Sequence, residues 1–219
     1  GTKEKLIDRV KEIEHQSTSL AIKAAALSVF WDNEEMFPEY KDNFDRIRPA
    51  GMILGYPVID LKSTARRLDI GIEGYPDYDK INFGQVHPNV NPADIFVREN
   101  NKTYVDFEIA MNAYMFGGYP TDEQIYQYSL QNHVTDTTPP AFIWHGGEDG
   151  LIYPRNSFMF AEALREHNVP CELHVFGKGG HGLGLANEVT QNYPWEVNEQ
   201  CAGWPKLAAD WIKSILRQQ

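Results

Sequence analysis

A chain of 219 residues, 42% of them apolar, is long enough for one packed domain and too apolar for a disordered segment. Against 31 Asp and Glu stand 20 Lys and Arg, and the net charge of −11 argues against nucleic acid or anionic membrane as partners, because both are held by basic patches. Two cysteines, Cys171 and Cys201, are too few for a disulfide framework, and no stretch approaches the roughly 20 apolar residues of a membrane span, so the expected setting is cytoplasmic with free thiols.

Leu6, Ile7, Val10 and Ile13 recur at helical spacing with charges between them, which predicts an N-terminal helix. Ser17, Thr18 and Ser19 interrupt it, since Ser and Thr favour caps over helix interiors. An alanine-rich helical run follows over 20–30. Residues 49–59 form an apolar run bounded by Pro and Gly, without alternation, as a strand buried on both faces reads. The pattern over 60–138 is loose, rich in Tyr, Asn, Asp and Pro, and predicts a lid-like insertion with short helical pieces. One such piece starts at Thr121, where Thr121 and Gln124 have capping-box spacing. The aromatics of the insertion, among them Tyr75, Tyr78, Phe83, Tyr104, Tyr114, Tyr119 and Tyr126, could stack on sugars or cover a core edge.

Residues 139–145 predict a second buried strand, 156–167 an amphipathic helix, 171–176 a third strand and 206–217 a closing helix. Strands alternating with helices imply an α/β fold with a mostly parallel sheet and helices on both faces. The expected organisation is a single domain over 1–219, carrying the 60–138 insertion. A sheet of three strands leaves an edge unpaired, which favours a homodimer through the open edge, or a cover over it.

Ligands of open α/β sheets bind beyond the carboxyl ends of the strands. Two polar, glycine-rich clusters fall there: residues 145–152 after the second strand and 177–182 after the third. They bring Asp149 and His181 onto neighbouring loops. A carboxylate beside an imidazole is the orienting half of a nucleophilic triad: it fixes the tautomer and stabilises the imidazolium while the other nitrogen takes a proton. His145, next to Trp144, reads as a buried or half-buried turn residue, and His145-Gly146-Gly147 as a turn. A metal site from His145, Glu148, Asp149 and His181 matches no standard ligand spacing. The 177–182 loop lacks the residues of a phosphate cradle. No metal and no cofactor is expected.

Four stretches carry a resemblance: AALSVFW (25–31), RPAGMILGYPVID (48–60), TPPAFIWHGGEDGLIYPRNSFMFAEALREHNVP (138–170) and CELHVFGKGGHGLGLA (171–186). They resemble the later part of α/β-hydrolase esterases of the acetyl-esterase and feruloyl-esterase-like kind, which deacylate plant polysaccharides. The resemblance implies a truncated α/β-hydrolase-like three-layer fold, with Asp149 as the acid and His181 as the base of a catalytic triad. It also implies a small acyl-ester substrate, carried on carbohydrate. The Gly-x-Ser-x-Gly elbow that carries the family's nucleophile stands nowhere in this chain. Ungapped counting back from AALSVFW puts the nucleophile position at Thr18, and Ser17, Thr18 and Ser19 are the candidates. The alternative expectation is a catalytically inactive remnant that serves as a binding or assembly module.

Overall fold

The two apolar runs and the third expected strand become the parallel sheet. The computed structural model describes residues 20–64, 67–73, 89–191 and 193–217. Its strands are β1 (Met52–Gly55), β2 (Leu68–Glu73), β3 (Phe96–Glu99), β4 (Lys102–Val105), β5 (Ala141–Gly146) and β6 (Cys171–Phe176). Its longer helices are α1 (Leu20–Val29), α2 (Phe107–Phe116), α3 (Asp122–Tyr128), α4 (Arg155–Glu166) and α5 (Trp204–Leu216). The helix expected around residues 6–13, and Ser17, Thr18 and Ser19, lie outside the described residues, as do Tyr75, Tyr78 and Phe83.

β1, β5 and β6 pair in parallel in that order, with Met52 opposite Ala141 and Ala141 opposite Cys171. All six residues of β5 are buried. Its alternate side chains serve two cores, which is why the run is apolar throughout. Ala141 and Ile143 face a core shared with Ala25 and Val29 of α1 and with Phe160 and Leu164 of α4. Phe142 and Trp144 face the other, with Ala208 and Trp211 of α5 and Leu183. The wholly buried Phe160 and Leu164 each contribute about 2 kcal/mol by leaving water. These are the three layers that the alternating strands and helices imply.

The insertion departs from its expected looseness. β2, β4 and β3 form an antiparallel sheet of their own; α2 packs on it around Val90, Phe96, Val105 and Ala113, and α3 meets α2 around Leu61 and Ile125. β3 and β4 are joined by Asn100 and Asn101, both at positive φ (48° and 57°). Asn tolerates that region, and two such residues make the tight turn whose twist matches a hairpin. The four-residue strands are too short to declare themselves by alternation. α2 is capped by Asp106, which accepts from the Ile109 N–H, and closes at Gly117 in the left-handed region (φ 72°). α3 opens on the Thr121–Gln124 capping box, as the spacing predicts.

The segment after β1 is tied down by Asn156, whose buried amide accepts from the N–H groups of Ile59 and Asp60 (2.8 Å each). Its nitrogen donates to the Ser63 and Tyr153 carbonyls (2.6 and 3.1 Å). His145 and Gly146 are the last residues of β5 and not a turn: their backbone pairs with Val175 and Phe176, and the turn begins at Gly147. Among the described residues, β1 has no strand on its outer side, and none of the helices is long and apolar enough to cross a membrane.

Candidate active site

β5 and β6 end side by side, and their loops approach so closely that side chains would not fit. A Cβ added to Gly146 would stand 2.3 Å from the Gly179 carbonyl oxygen, and one at Gly147 would stand 2.6 Å from that of Phe176. Glycine is therefore required here by space. The Gly147 N–H donates to Phe176 O (2.6 Å) and the Glu148 N–H to Gly179 O (3.0 Å). Both donors are spent on joining the loops, so His145-Gly146-Gly147 offers none of them to an oxyanion.

Asp149, 3% exposed, sits at the centre of this joint. Its Oδ1 accepts from the N–H groups of Leu151 (3.0 Å) and Ile152 (2.9 Å). Its Oδ2 accepts from two imidazoles at once, His181 Nδ1 at 2.8 Å and His145 Nε2 at 3.1 Å. Burial opposes the carboxylate's charge, but the hydrogen bonds from His145 and His181, the charge of His181 and the Ile152 N–H outweigh it and hold the carboxyl down at about 2.

His145 is wholly buried and its protonation is dictated by its neighbours. Nε2 faces two acceptors, Asp149 Oδ2 and the Ile152 carbonyl (2.8 Å), so it carries the hydrogen; Nδ1 accepts from the Ser157 hydroxyl (2.7 Å). His181 is oriented the other way round. Its Nδ1–H points at the acid, which leaves Nε2 as the free lone pair. Its side chain is 27% exposed, and its ring lies edge-on to that of Tyr56, centroids 5.0 Å apart. Tyr56 follows β1 with a φ of 39°, a strained value for a bulky residue. Its hydroxyl accepts from the Gly184 N–H (3.2 Å), which fastens the His181 loop to the end of β1. Glu148 turns outward to Lys178 (2.6 Å) and is held below its usual range by that ammonium. Such an arrangement accepts a proton at Nε2 and stabilises the resulting imidazolium through Asp149.

Both residues named from the sequence, Asp149 and His181, are thus brought into contact. Ser17, Thr18 and Ser19 lie outside the described residues. α1, however, begins at the same edge: Ile22 in its first turn packs against Val58, Leu61 and Ile152, which lie beyond the ends of β1 and β5. Neither cysteine offers a thiolate. Burial pushes Cys171 up to about 11 and raises Cys201 as well. Sequence reasoning missed the parts played by Tyr56, Ser157 and Asn156, and gave His145 no partner. Only His145 carried a signal, since it precedes Asp149 by four residues across a glycine pair.

The fold as a whole has counterparts among solved structures. A carboxylesterase from Lactobacillus plantarum WCFS1 superposes with a TM-score of 0.56 at 26% identity, over 97% of this chain and 66% of that one. The chain has an α/β-hydrolase-like fold. An acetyl ester-xyloside bifunctional hydrolase from Caldicellulosiruptor lactoaceticus is also similar to this chain, with a TM-score of 0.51 and 25% identity over 89% of this chain and 54% of that one. In sequence, residues 93–197 match the model of the prolyl oligopeptidase family. Endo-1,4-beta-xylanase B of Butyrivibrio fibrisolvens is 33% identical over 164 residues, 74% of this chain and 19% of that protein. The chain therefore spans about a fifth of the xylanase and less than two thirds of the esterase.

Proposed function

We propose that this chain cleaves carboxylic esters of short acyl groups, acetyl-like in size, carried on carbohydrate. The observation that carries the reading is the 2.8 Å contact of His181 Nδ1 with the buried Asp149, which leaves Nε2 free to act as a base. In the proposed reaction His181 takes the proton from a hydroxyl nucleophile as it attacks the ester carbonyl, then returns it to the departing alcohol oxygen. Water releases the acyl group in the second half by the same relay. Ser17, Thr18 and Ser19, which precede Leu20 in the sequence, are the candidates for that hydroxyl. The carbohydrate part of the reading is supported by what the relatives are called, a xylanase and an acetyl ester-xyloside hydrolase.

The test is hydrolysis of p-nitrophenyl acetate by the purified chain, compared with His181→Ala. Removal of the general base is expected to lower turnover about a hundredfold or more. Loss in Ser17→Ala, Thr18→Ala or Ser19→Ala then identifies the nucleophile. p-Nitroacetanilide separates ester from peptide-bond chemistry, and turnover of the amide as fast as the ester overturns the ester reading. A second reading, a non-catalytic binding or assembly module, is supported by one observation: among the described residues no hydroxyl or thiol hydrogen-bonds Nε2 of His181. Wild-type rates equal to buffer, or unchanged in His181→Ala, favour that second reading.

A further inference from the structure

Downstream of His181 the chain presents an aromatic surface that the acid–base pair does not use. Tyr193 and Trp195 stack face to face, ring centroids 4.4 Å apart and planes 5° from parallel. Yet Tyr193 is 53% and Trp195 72% exposed. So large an aromatic face in water is the mark of a surface that something covers. It is also anchored to the loop that bears His181. The Tyr193 N–H donates to Glu196 Oε2 (3.3 Å), and the Asn198 N–H to the Ala186 carbonyl (2.9 Å). Thr190 Oγ1 accepts from the Leu185 N–H (2.9 Å), and the Trp204 indole N–H donates to the Gly184 carbonyl (2.8 Å). The stack is therefore fixed relative to the histidine loop.

The surrounding chemistry selects the occupant. Residues 187–203 hold Glu188, Glu196 and Glu199 with Gln191 and Gln200, and no Lys or Arg. A segment with carboxylates and no cation of its own does not attract phosphate, which disfavours a stacked nucleobase or an anionic lipid. A neutral polyhydroxylated ring suits both features. Its axial C–H bonds, weakly positive, lie on the negative face of the indole, and its hydroxyls donate to carboxylates and amides at the rim. We infer that Tyr193 and Trp195 form a subsite for a neutral pyranose ring of the carbohydrate that bears the ester. The inference rests on the carbohydrate-ester reading above and assigns the sugar a place on the molecule.

The experiment is affinity electrophoresis of the whole chain in gels containing soluble xylan, with titration of xylohexaose followed by tryptophan fluorescence. Wild type is expected to be retarded by xylan. Trp195→Ala is expected to weaken xylohexaose binding roughly threefold to tenfold, as loss of one aromatic contact does, with an unchanged urea midpoint because the side chain is exposed. Val189→Ala, which alters an exposed apolar residue (82%) in the same segment, is expected to bind as wild type does. The inference is overturned if wild type runs freely, if Trp195→Ala is retarded as strongly as wild type, or if Val189→Ala loses as much. It is also overturned if an apolar dye quenches Trp195 and xylohexaose does not, since the face is then a protein contact. Xylan retardation without p-nitrophenyl acetate hydrolysis would sink the esterase reading and leave the subsite standing.

Discussion

Asp149→Asn tests whether the joint between the two loops is held electrostatically. In the wild type Oδ2 accepts from both His145 Nε2–H and His181 Nδ1–H while Oδ1 accepts from two backbone N–H groups. An amide cannot replace it: whichever way it is turned, its NH2 meets a pair of donors in a site 3% exposed. Leaving buried donors unmatched costs about 1–3 kcal/mol each. The carboxyl itself gives a second measure. Its pKa falls from 3.8 to about 2 on folding, and a drop of that size corresponds to about 2.4 kcal/mol at neutral pH. Because the folded-state value is depressed, this stabilisation is fully present above the unfolded value and is lost as pH falls through the folded one. About half of it has gone by pH 3. Urea unfolding at pH 7 is therefore expected to place Asp149→Asn about 2–4 kcal/mol below wild type, and the gap is expected to narrow by about 1 kcal/mol at pH 3. A gap that stays constant with pH would refute the electrostatic account, and a gap under about 0.5 kcal/mol at pH 7 would refute the hydrogen-bond account as well.

The same joint predicts that Gly146→Ala, whose new methyl would meet the Gly179 carbonyl at 2.3 Å, costs about 1–3 kcal/mol. Both contacting groups are backbone, so neither can swing aside; an unchanged urea midpoint would mean that the loops are not locked. Tyr56→Phe keeps the ring against His181 but removes the acceptor of the Gly184 N–H. A loss of about 1 kcal/mol, or about 2–4 °C in Tm, is expected by calorimetry; no change would mean that water replaces the hydroxyl. Ile53→Pro addresses the edge of β1. The N–H groups of Met52 and Tyr56 point to β5, so by alternation that of Ile53 points outward and proline blocks the edge without breaking the ladder. If two chains pair there, as we propose, light scattering will find a dimer in the wild type and a monomer in Ile53→Pro. A wild-type monomer rules the pairing out.

What could be read from the sequence follows from what burial does to composition. β5 was legible because a central parallel strand has to be apolar on both faces, and β6, at the edge of the sheet, through the alternation of its side chains; the polar, glycine-rich runs that end them mark where the backbone leaves the sheet. That was enough to expect Asp149 and His181 on neighbouring loops, where they meet. The antiparallel sheet of the insertion was not legible, since its strands are four to six residues long and pair with one another over a small core. The available clue was the Asn100-Asn101 pair between Phe96–Glu99 and Lys102–Val105, a hairpin turn that was counted only as loop composition. The partners of His145 were hidden for a different reason. Ser157 lies one turn into the next helix and Ile152 acts through its carbonyl, and neither role leaves a trace in residue type. Tyr56 was hidden by distance, because its hydroxyl meets Gly184, 128 residues away.

The acid and the base are held by groups that make no use of a nucleophile. Asp149 is fixed by two backbone N–H groups and by His145, His145 by Ser157 and the Ile152 carbonyl, and His181 by Asp149 and Tyr56. Every one of these residues comes from the ends of β1, β5 and β6 or the start of α4, within 56–181. The costly part of the site, a buried carboxylate with matched donors, is thus paid for by folding and stands ready before any substrate or hydroxyl arrives. For the proposed esterase reaction, a hydroxyl within about 3 Å of His181 Nε2 would complete the relay. Ile22 in the first turn of α1 packs against Val58 and Ile152 beyond the ends of β1 and β5, so under the proposed reading Ser17, Thr18 and Ser19 are the hydroxyls to mutate first.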